Sequence, residues 1–184
     1  MSDIIKRLDE IRDRFSDEVF LKNKGLSNEV GIHIFCYEPS AEMTVRSYFN
    51  ELKSNNNTFR LIECDLYEIF ISICEDKRIL RSIPAMEAKK GSQGLLTQLQ
   101  RIATPEAFVE RMKYEPHNTG DILLITGVGK AYPFMRVHNI LDNIQHIFSD
   151  IPVVVLYPGS FNGSELSLFS EQEDGNYYRA FNML

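Results

Sequence analysis

The chain has no apolar run long enough to cross a bilayer, few cysteines and no surplus of positive charge. Each shortage removes a class of function. Its longest apolar stretches, Ile122 to Ile125 and Val153 to Tyr157, fall far short of the ~20 residues a membrane-spanning helix requires. Met1-Ser2-Asp3 leads straight into a charged amphipathic segment. It lacks both the apolar stretch of a signal peptide and the Arg-rich, acid-poor character of a transit peptide, so a cytoplasmic protein is expected. Cys36, Cys64 and Cys74 are odd in number and widely spaced, with no CxxC pair. They fit reduced thiols, not a disulfide frame or a zinc site. Twenty Lys and Arg against 26 Asp and Glu give a formal net charge of −6, and from Asp150 onward five acids face Arg179 alone. Non-specific nucleic-acid affinity comes mainly from clustered bases, so direct contact with nucleic acid is not expected.

What remains is an ordinary globular composition, 43% apolar and 25% charged over 184 residues. A chain of this length hides roughly 70% of its unfolded surface, so one domain over residues 1–184 is expected, with a helical extension over 1–25. Ile4, Leu8, Ile11 and Phe15 stand at helical spacing. Val30 to Tyr37 is apolar on both faces, as a central strand covered on both sides should be, and Ser40 is a candidate N-cap for the next helix. Strands are predicted again at Leu61–Leu66, Asp121–Thr126 and Pro152–Tyr157. Helices are predicted between them, including one over about 85–102 weakened by Gly91 and Gly94. Thr104-Pro105-Glu106 is a helix start, with a hydroxyl cap, proline at the first position and an acid in the first turn. A last helix is expected from Pro133 to Phe148.

Alternation of strands and helices implies right-handed crossovers and a parallel sheet. Only a short turn separates the fourth strand from Leu166 to Phe169, so a fifth strand should pair antiparallel at an edge. The predicted architecture is α/β: a three-layer sandwich with a mainly parallel central sheet, an antiparallel edge strand and an N-terminal helical extension.

Ligands of such sheets bind beyond the carboxyl ends of the strands, where strand order reverses. With an order resembling 2-1-3-4 that point lies between the first and third strands, at Glu38-Pro39-Ser40 and Thr126 to Tyr132. Gly127 and Gly129, followed by Lys130, would let the backbone approach an anion. A Walker A loop nevertheless needs wider glycine spacing and a Ser or Thr where Ala131 stands, and a tight strand-to-helix turn accounts for the same residues. Glu38, Glu63 and Asp65 near one sheet edge could hold a divalent cation, or could cap helices and meet solvent. They come with no DxD, no His partner and no basic cluster, and no metal is expected. No Ser sits in G-x-S-x-G and no Cys has an evident base. His138 and His146 are two helical turns apart, roughly 12 Å by rise, too far to share a metal.

Two features point toward docking. Arg136, Asn139 and Asn143 recur along the outer faces of the Pro133–Phe148 segment, and Asn is a poor interior helix former. Tyr177, Tyr178, Arg179 and Phe181 gather residue types enriched at binding hot spots just after an acidic stretch. An ordinary solvated helix face is the alternative for the first group, and a tail packed on its own domain for the second.

A series of motifs gives a resemblance over nearly the whole chain. They are Leu21-Lys22-Asn23-Lys24-Gly25-Leu26 with Asn28-Glu29; Asp65-Leu66-Tyr67; Leu123 to Gly129 leading to Tyr132-Pro133 and Arg136; Val154-Val155-Leu156-Tyr157-Pro158-Gly159; and Asn176 to Phe181. In this order they resemble the BrxB family of BREX (bacteriophage exclusion) defence systems. The resemblance implies a small cytoplasmic bacterial protein working beside a PglZ protein of the phosphatase superfamily, an ATPase and an adenine methyltransferase, with no established catalytic residues. It points to a non-enzymatic adaptor without a cofactor that binds PglZ and self-associates as a homodimer or larger homo-oligomer. The alternative is a nucleotide- or phosphate-binding regulator using Gly127, Gly129 and Lys130.

Overall fold

The computed structural model describes residues 2–23, 31–55, 58–162, 165–170, 172–173 and 181–184. Helix α1 (Ser2–Phe15) forms where its apolar spacing predicts, and Leu8, Ile11 and Phe15 are fully buried. Each such side chain contributes about 1.5–3 kcal/mol on leaving water. A short α2 (Glu18–Leu21) follows, capped by the Asp17 carboxylate, which accepts from the Val19 N–H at 2.9 Å. Strand β1 (Ile32–Tyr37) then runs into a 3-10 turn over Pro39–Ala41 and α3 (Glu42–Ser54). Ser40 lies inside that turn and does not cap α3; Ala41 holds the cap position without a side-chain bond. The fixed φ of Pro39 starts the turn one residue too early for Ser40 to act.

Strand β2 (Arg60–Asp65) leads into α4 (Leu66–Asp76), a 3-10 turn (Leu80–Ser82) and α5 (Ile83–Ile102). Gly91, at φ 70° and ψ 167°, divides α5 into two half-helices. Space around it is open, so the glycine serves the backbone conformation and not a close approach. Helix α6 (Pro105–Met112) begins as its sequence predicts, with Thr104 accepting from the Ala107 N–H at 3.3 Å. Strand β3 (Asp121–Thr126), α7 (Val128–Ala131), α8 (Val137–Ile144) and β4 (Val153–Phe161) complete the alternation. The helix expected from Pro133 to Phe148 is shorter: Pro133 and Phe134 form a turn in which the Phe134 and Met135 N–H groups bond back to Ala131. Its apolar stripe still faces inward at Val137, Leu141, Ile144 and Phe148.

The sheet runs β2-β3-β4-β1-β7, with β7 (Phe181–Asn182) parallel to β1. An order resembling 2-1-3-4 was expected; instead β4 lies between β1 and β3. The antiparallel strand is present: β5 (Leu166–Leu168) pairs with the outer end of β4 and with β6 (Gln172–Glu173). The β1-to-β2 crossover runs opposite to those from β2 to β3 and β3 to β4, so right-handedness puts their helices on opposite faces. One core packs Phe15, Phe49 and Phe35 with α1 and α3; the other packs Phe70, Phe108 and Phe148 with α4 to α8.

One polar anchor at the amino end of the sheet was not foreseen. Asp121, only 2% exposed, receives Arg60 Nε at 2.7 Å and Nη2 at 2.6 Å, the Tyr114 hydroxyl at 3.0 Å and the Asn118 N–H at 3.0 Å. Burial alone would raise its pKa, but these donors outweigh burial and hold it below the ordinary carboxylate value. The group fixes the β2–β3 register, in which Arg60 stands opposite Asp121.

Candidate functional site

The loops after β1 and β3 meet across the end of β4, and the cavity between them measures about 250 Å³. Its walls include Tyr37, Glu42, Arg46, Gly129, Pro158 and Phe169. Tyr37 and Glu42 are tied to each other, while Arg46 is exposed and makes no ion pair among the described residues. The Tyr37 hydroxyl donates to Glu42 Oε2 at 2.6 Å, and burial, reinforced by that carboxylate, pushes the phenol far above its usual range. Beside the cavity, Asp65 Oδ1 accepts from the Tyr67 and Glu68 N–H groups at 2.9 and 3.2 Å, capping α4. Its Oδ2 takes Lys130 Nζ at 2.7 Å. Thr126 Oγ1 donates to Glu63 Oε1 at 2.8 Å, and Lys53 pairs with the other oxygen of Glu63.

This geometry gives the Gly127-Val128-Gly129 turn a packing role. Gly127 sits at φ 71°, and a Cβ there would stand 2.2 Å from Asp65 Oδ1. A Cβ on Gly129 would come within 2.9 Å of the Phe169 ring. A carboxylate thus stands against the backbone that an anion would have to approach, and the nearby lysine is already committed to it. Glu38 is exposed, while Glu63 and Asp65 are engaged as above. Among the described residues no group of three His, Cys, Asp or Glu is placed to hold a metal ion.

The expected docking residues are dispersed. Arg136 precedes α8 with its guanidinium 5.9 Å from the Tyr132 ring centre, and Asn143 Nδ2 donates to the Asn139 carbonyl at 2.8 Å. Phe181 is half-buried in β7, its ring 5.8 Å from His33. Tyr177, Tyr178 and Arg179 lie outside the described residues. Mid-strand among aromatics, His33 reads as a hydrogen-bonded core residue; it is buried, but its Nδ1 has no hydrogen-bond partner among the described residues, and desolvation, helped by Arg14, lowers its pKa to about 4. Burial pushes the Cys36 and Cys64 thiols up to about 12, which suppresses the thiolate and hence nucleophilic reactivity.

A second concavity was not foreseen. Between α4, the two halves of α5 and the α7–α8 turn lies a groove of about 540 Å³. Phe70, Leu80, Ile83, Leu95, Leu96 and Phe134 line it, with Glu87 and Ser92 as polar exceptions. Phe70 and Phe134 stack at 4.3 Å between ring centres, and Gln100 Nε2 pins the Pro133 carbonyl at 2.9 Å. The exposed cations of the same stretch, Lys77, Arg78, Arg81, Lys89 and Arg101, make no ion pair among the described residues. The sequence signal was available: residues 77–101 hold six bases and one acid.

Parallel strands, helices on both faces and a crevice at the carboxyl ends define an α/β protein of the doubly wound kind. None of its helices, among the described residues, is long and apolar enough to cross a membrane. The chain belongs to the BrxB family: the family model described as BREX protein BrxB matches residues 62–183, and membership makes it a component of a BREX defence system. A BREX protein BrxB of Bacillus cereus (strain H3081.97) is 40% identical over 190 residues, covering 100% of this chain and 99% of that protein. A BREX protein BrxB of Escherichia coli O9:H4 (strain HS) is 28% identical over 180 residues, covering 97% of this chain and 90% of that protein. No solved structure matches the chain.

Proposed function

We propose that this chain is a non-enzymatic adaptor that works within a BREX system by docking a PglZ-type protein. The observation that carries the reading is the groove between α4 and α5. It offers apolar side chains at the surface, whereas the acids beside the crevice at the strand ends are paired, Asp65 with Lys130 and Glu63 with Lys53. Apolar area open to a partner drives association, and catalysis would require a poised acid, base or nucleophile. Arg136 follows Phe134 by two residues, so the polar approach to α8 adjoins the groove in sequence.

Mass photometry of the purified chain, alone and mixed with the PglZ-type protein of the same system, tests the proposal. A new species at the summed mass is the expected result. Two unchanged species at micromolar concentration would exclude the adaptor role. The same measurement on the chain alone reads the homo-oligomer directly.

A further inference from the structure

We propose that the α4–α5 groove receives an acidic amphipathic helix of a partner protein. The inference rests on the docking reading above and specifies the chemistry of the occupant. The first argument is shape. Helices and a tight turn wall the groove, and its lining is aliphatic apart from Phe70, Phe134 and Tyr67 and the polar Glu87 and Ser92. Such grooves take the apolar face of a helix, whose anchors recur at i, i+3 or i+4, and i+7.

The second argument is charge. Residues 77–101 carry net +5 in a chain of net −6, leaving −11 on the remaining residues. These bases belong to the segment that builds two walls of the groove. Lys90 lies one turn beyond Glu87 and two beyond Ile83 on the first half of α5, hence on the same face. Lys90 donates to Gln98 at 2.6 Å, and five of the other bases are unpaired as described. The one charged residue of the lining itself, Glu87, is engaged by the Ser92 hydroxyl at 2.7 Å. A partner helix would therefore place its apolar stripe on the lining and its flanking Asp and Glu toward the bases that neighbour the lining in sequence, Arg81 beside Leu80 and Lys90 beyond Glu87. Nucleic acid is the poorer occupant. Single-strand readers present aromatic faces for stacking, and here Phe70 and Phe134 spend a face each on the other.

The test uses a fluorescein-labelled helical peptide of about 18 residues, with Leu at i, i+4 and i+7 and Glu on its flanks. Anisotropy with the full chain should saturate in the micromolar range. The R81E/K89E/K90E variant, altered only at exposed positions, should weaken binding about tenfold, and rising salt should do the same to the parent chain. A peptide with Lys in place of Glu should not bind. Leu96→Gln, checked for an unchanged fold by circular dichroism, should weaken binding without altering its salt dependence.

No binding of the acidic peptide, or equal binding by the charge-reversed variant, overturns the proposal. So does tighter binding of duplex DNA or phosphatidylglycerol vesicles through the same three bases. A parallel titration with the PglZ-type protein separates the two readings. If that complex forms and the reversals leave it intact, the helix-in-groove proposal falls and the adaptor survives. If the acidic peptide binds and the PglZ-type protein does not, the adaptor falls and the groove stands.

Discussion

The crevice at the strand ends and the groove between α4 and α5 are both concave, yet they are built in opposite ways. In the crevice region polar groups face each other: Asp65 pairs with Lys130, Glu63 with Lys53, and the Tyr37 hydroxyl donates to Glu42. These contacts bind neighbouring elements together, and Arg46 is the wall cation they leave without an ion pair among the described residues. In the groove, apolar side chains meet the outside, and five cations of the 77–101 stretch that builds part of its wall make no ion pair among the described residues. A concavity whose groups satisfy one another is part of the fold; one that leaves surface and charge unmatched is available to something else. Position alone would have picked the crevice, since parallel sheets bind ligands there. The pairing of groups reverses that choice.

Four measurements would break or sharpen the contrast. The largest effect sets the window in which it can be tested. His33 has its pKa lowered to about 4 from 6.5 by burial first and by Arg14 second. The unfolded chain therefore binds the extra proton between pH 6.5 and 4. Stability is full above 6.5 and falls by up to about 3 kcal/mol as pH drops to 4. Urea titrations at pH 7.5 and 4.5 should show the loss, and His33→Phe should flatten it. A flat profile in the parent chain would remove His33 as the cause.

Next comes the crevice itself. Gly127→Ala puts a Cβ against Asp65 at a positive φ, and should cost about 2–3 kcal/mol in thermal unfolding. If alanine is accepted without loss, the turn has room that the packing reading denies it. Asp65→Ala removes the cap of α4 and the partner of Lys130, a loss of about 1–2 kcal/mol. The smallest effect belongs to the groove: R81E/K89E/K90E should change stability by less than about 0.5 kcal/mol, because these exposed side chains make no ion pair among the described residues and the Lys90–Gln98 hydrogen bond is solvent-exposed. A melting temperature well below the parent's would mean that the basic rim supports the fold and is not held in reserve.

Much of the architecture was legible in the sequence for identifiable reasons. Val153 to Tyr157 reads as a strand because an uninterrupted apolar run led by three valines suits a sheet covered on both faces, and all five residues are buried in β4. Thr104-Pro105 reads as a helix start because cap and ring each satisfy a local requirement of the backbone. The strand order was not legible, since nothing local decides whether β4 enters beside β3 or between β3 and β1. The groove was hidden for a related reason. Leu95 and Leu99 at helical spacing look like any core stripe, and both are buried. Ile83 and Leu96, on the same two half-helices, are left half-open. Leu95 and Leu96 are neighbours on one half-helix, so the face that each presents separates one outcome from the other, and that depends on how the half-helix is seated. The basic segment was diluted by the acidic total, which averages over regions of opposite sign.

The division of α5 has a practical consequence. Lys89 and Lys90 stand immediately before Gly91, all three are exposed, and the joint is not helical. Extended, accessible peptide segments are what serine proteases of tryptic specificity require, and regular helix denies it to them. Brief digestion should therefore nick the chain after Lys90 before most other sites, leaving two fragments held together by the sheet. Protection of that one bond would then report occupancy of the neighbouring surface on an ordinary gel.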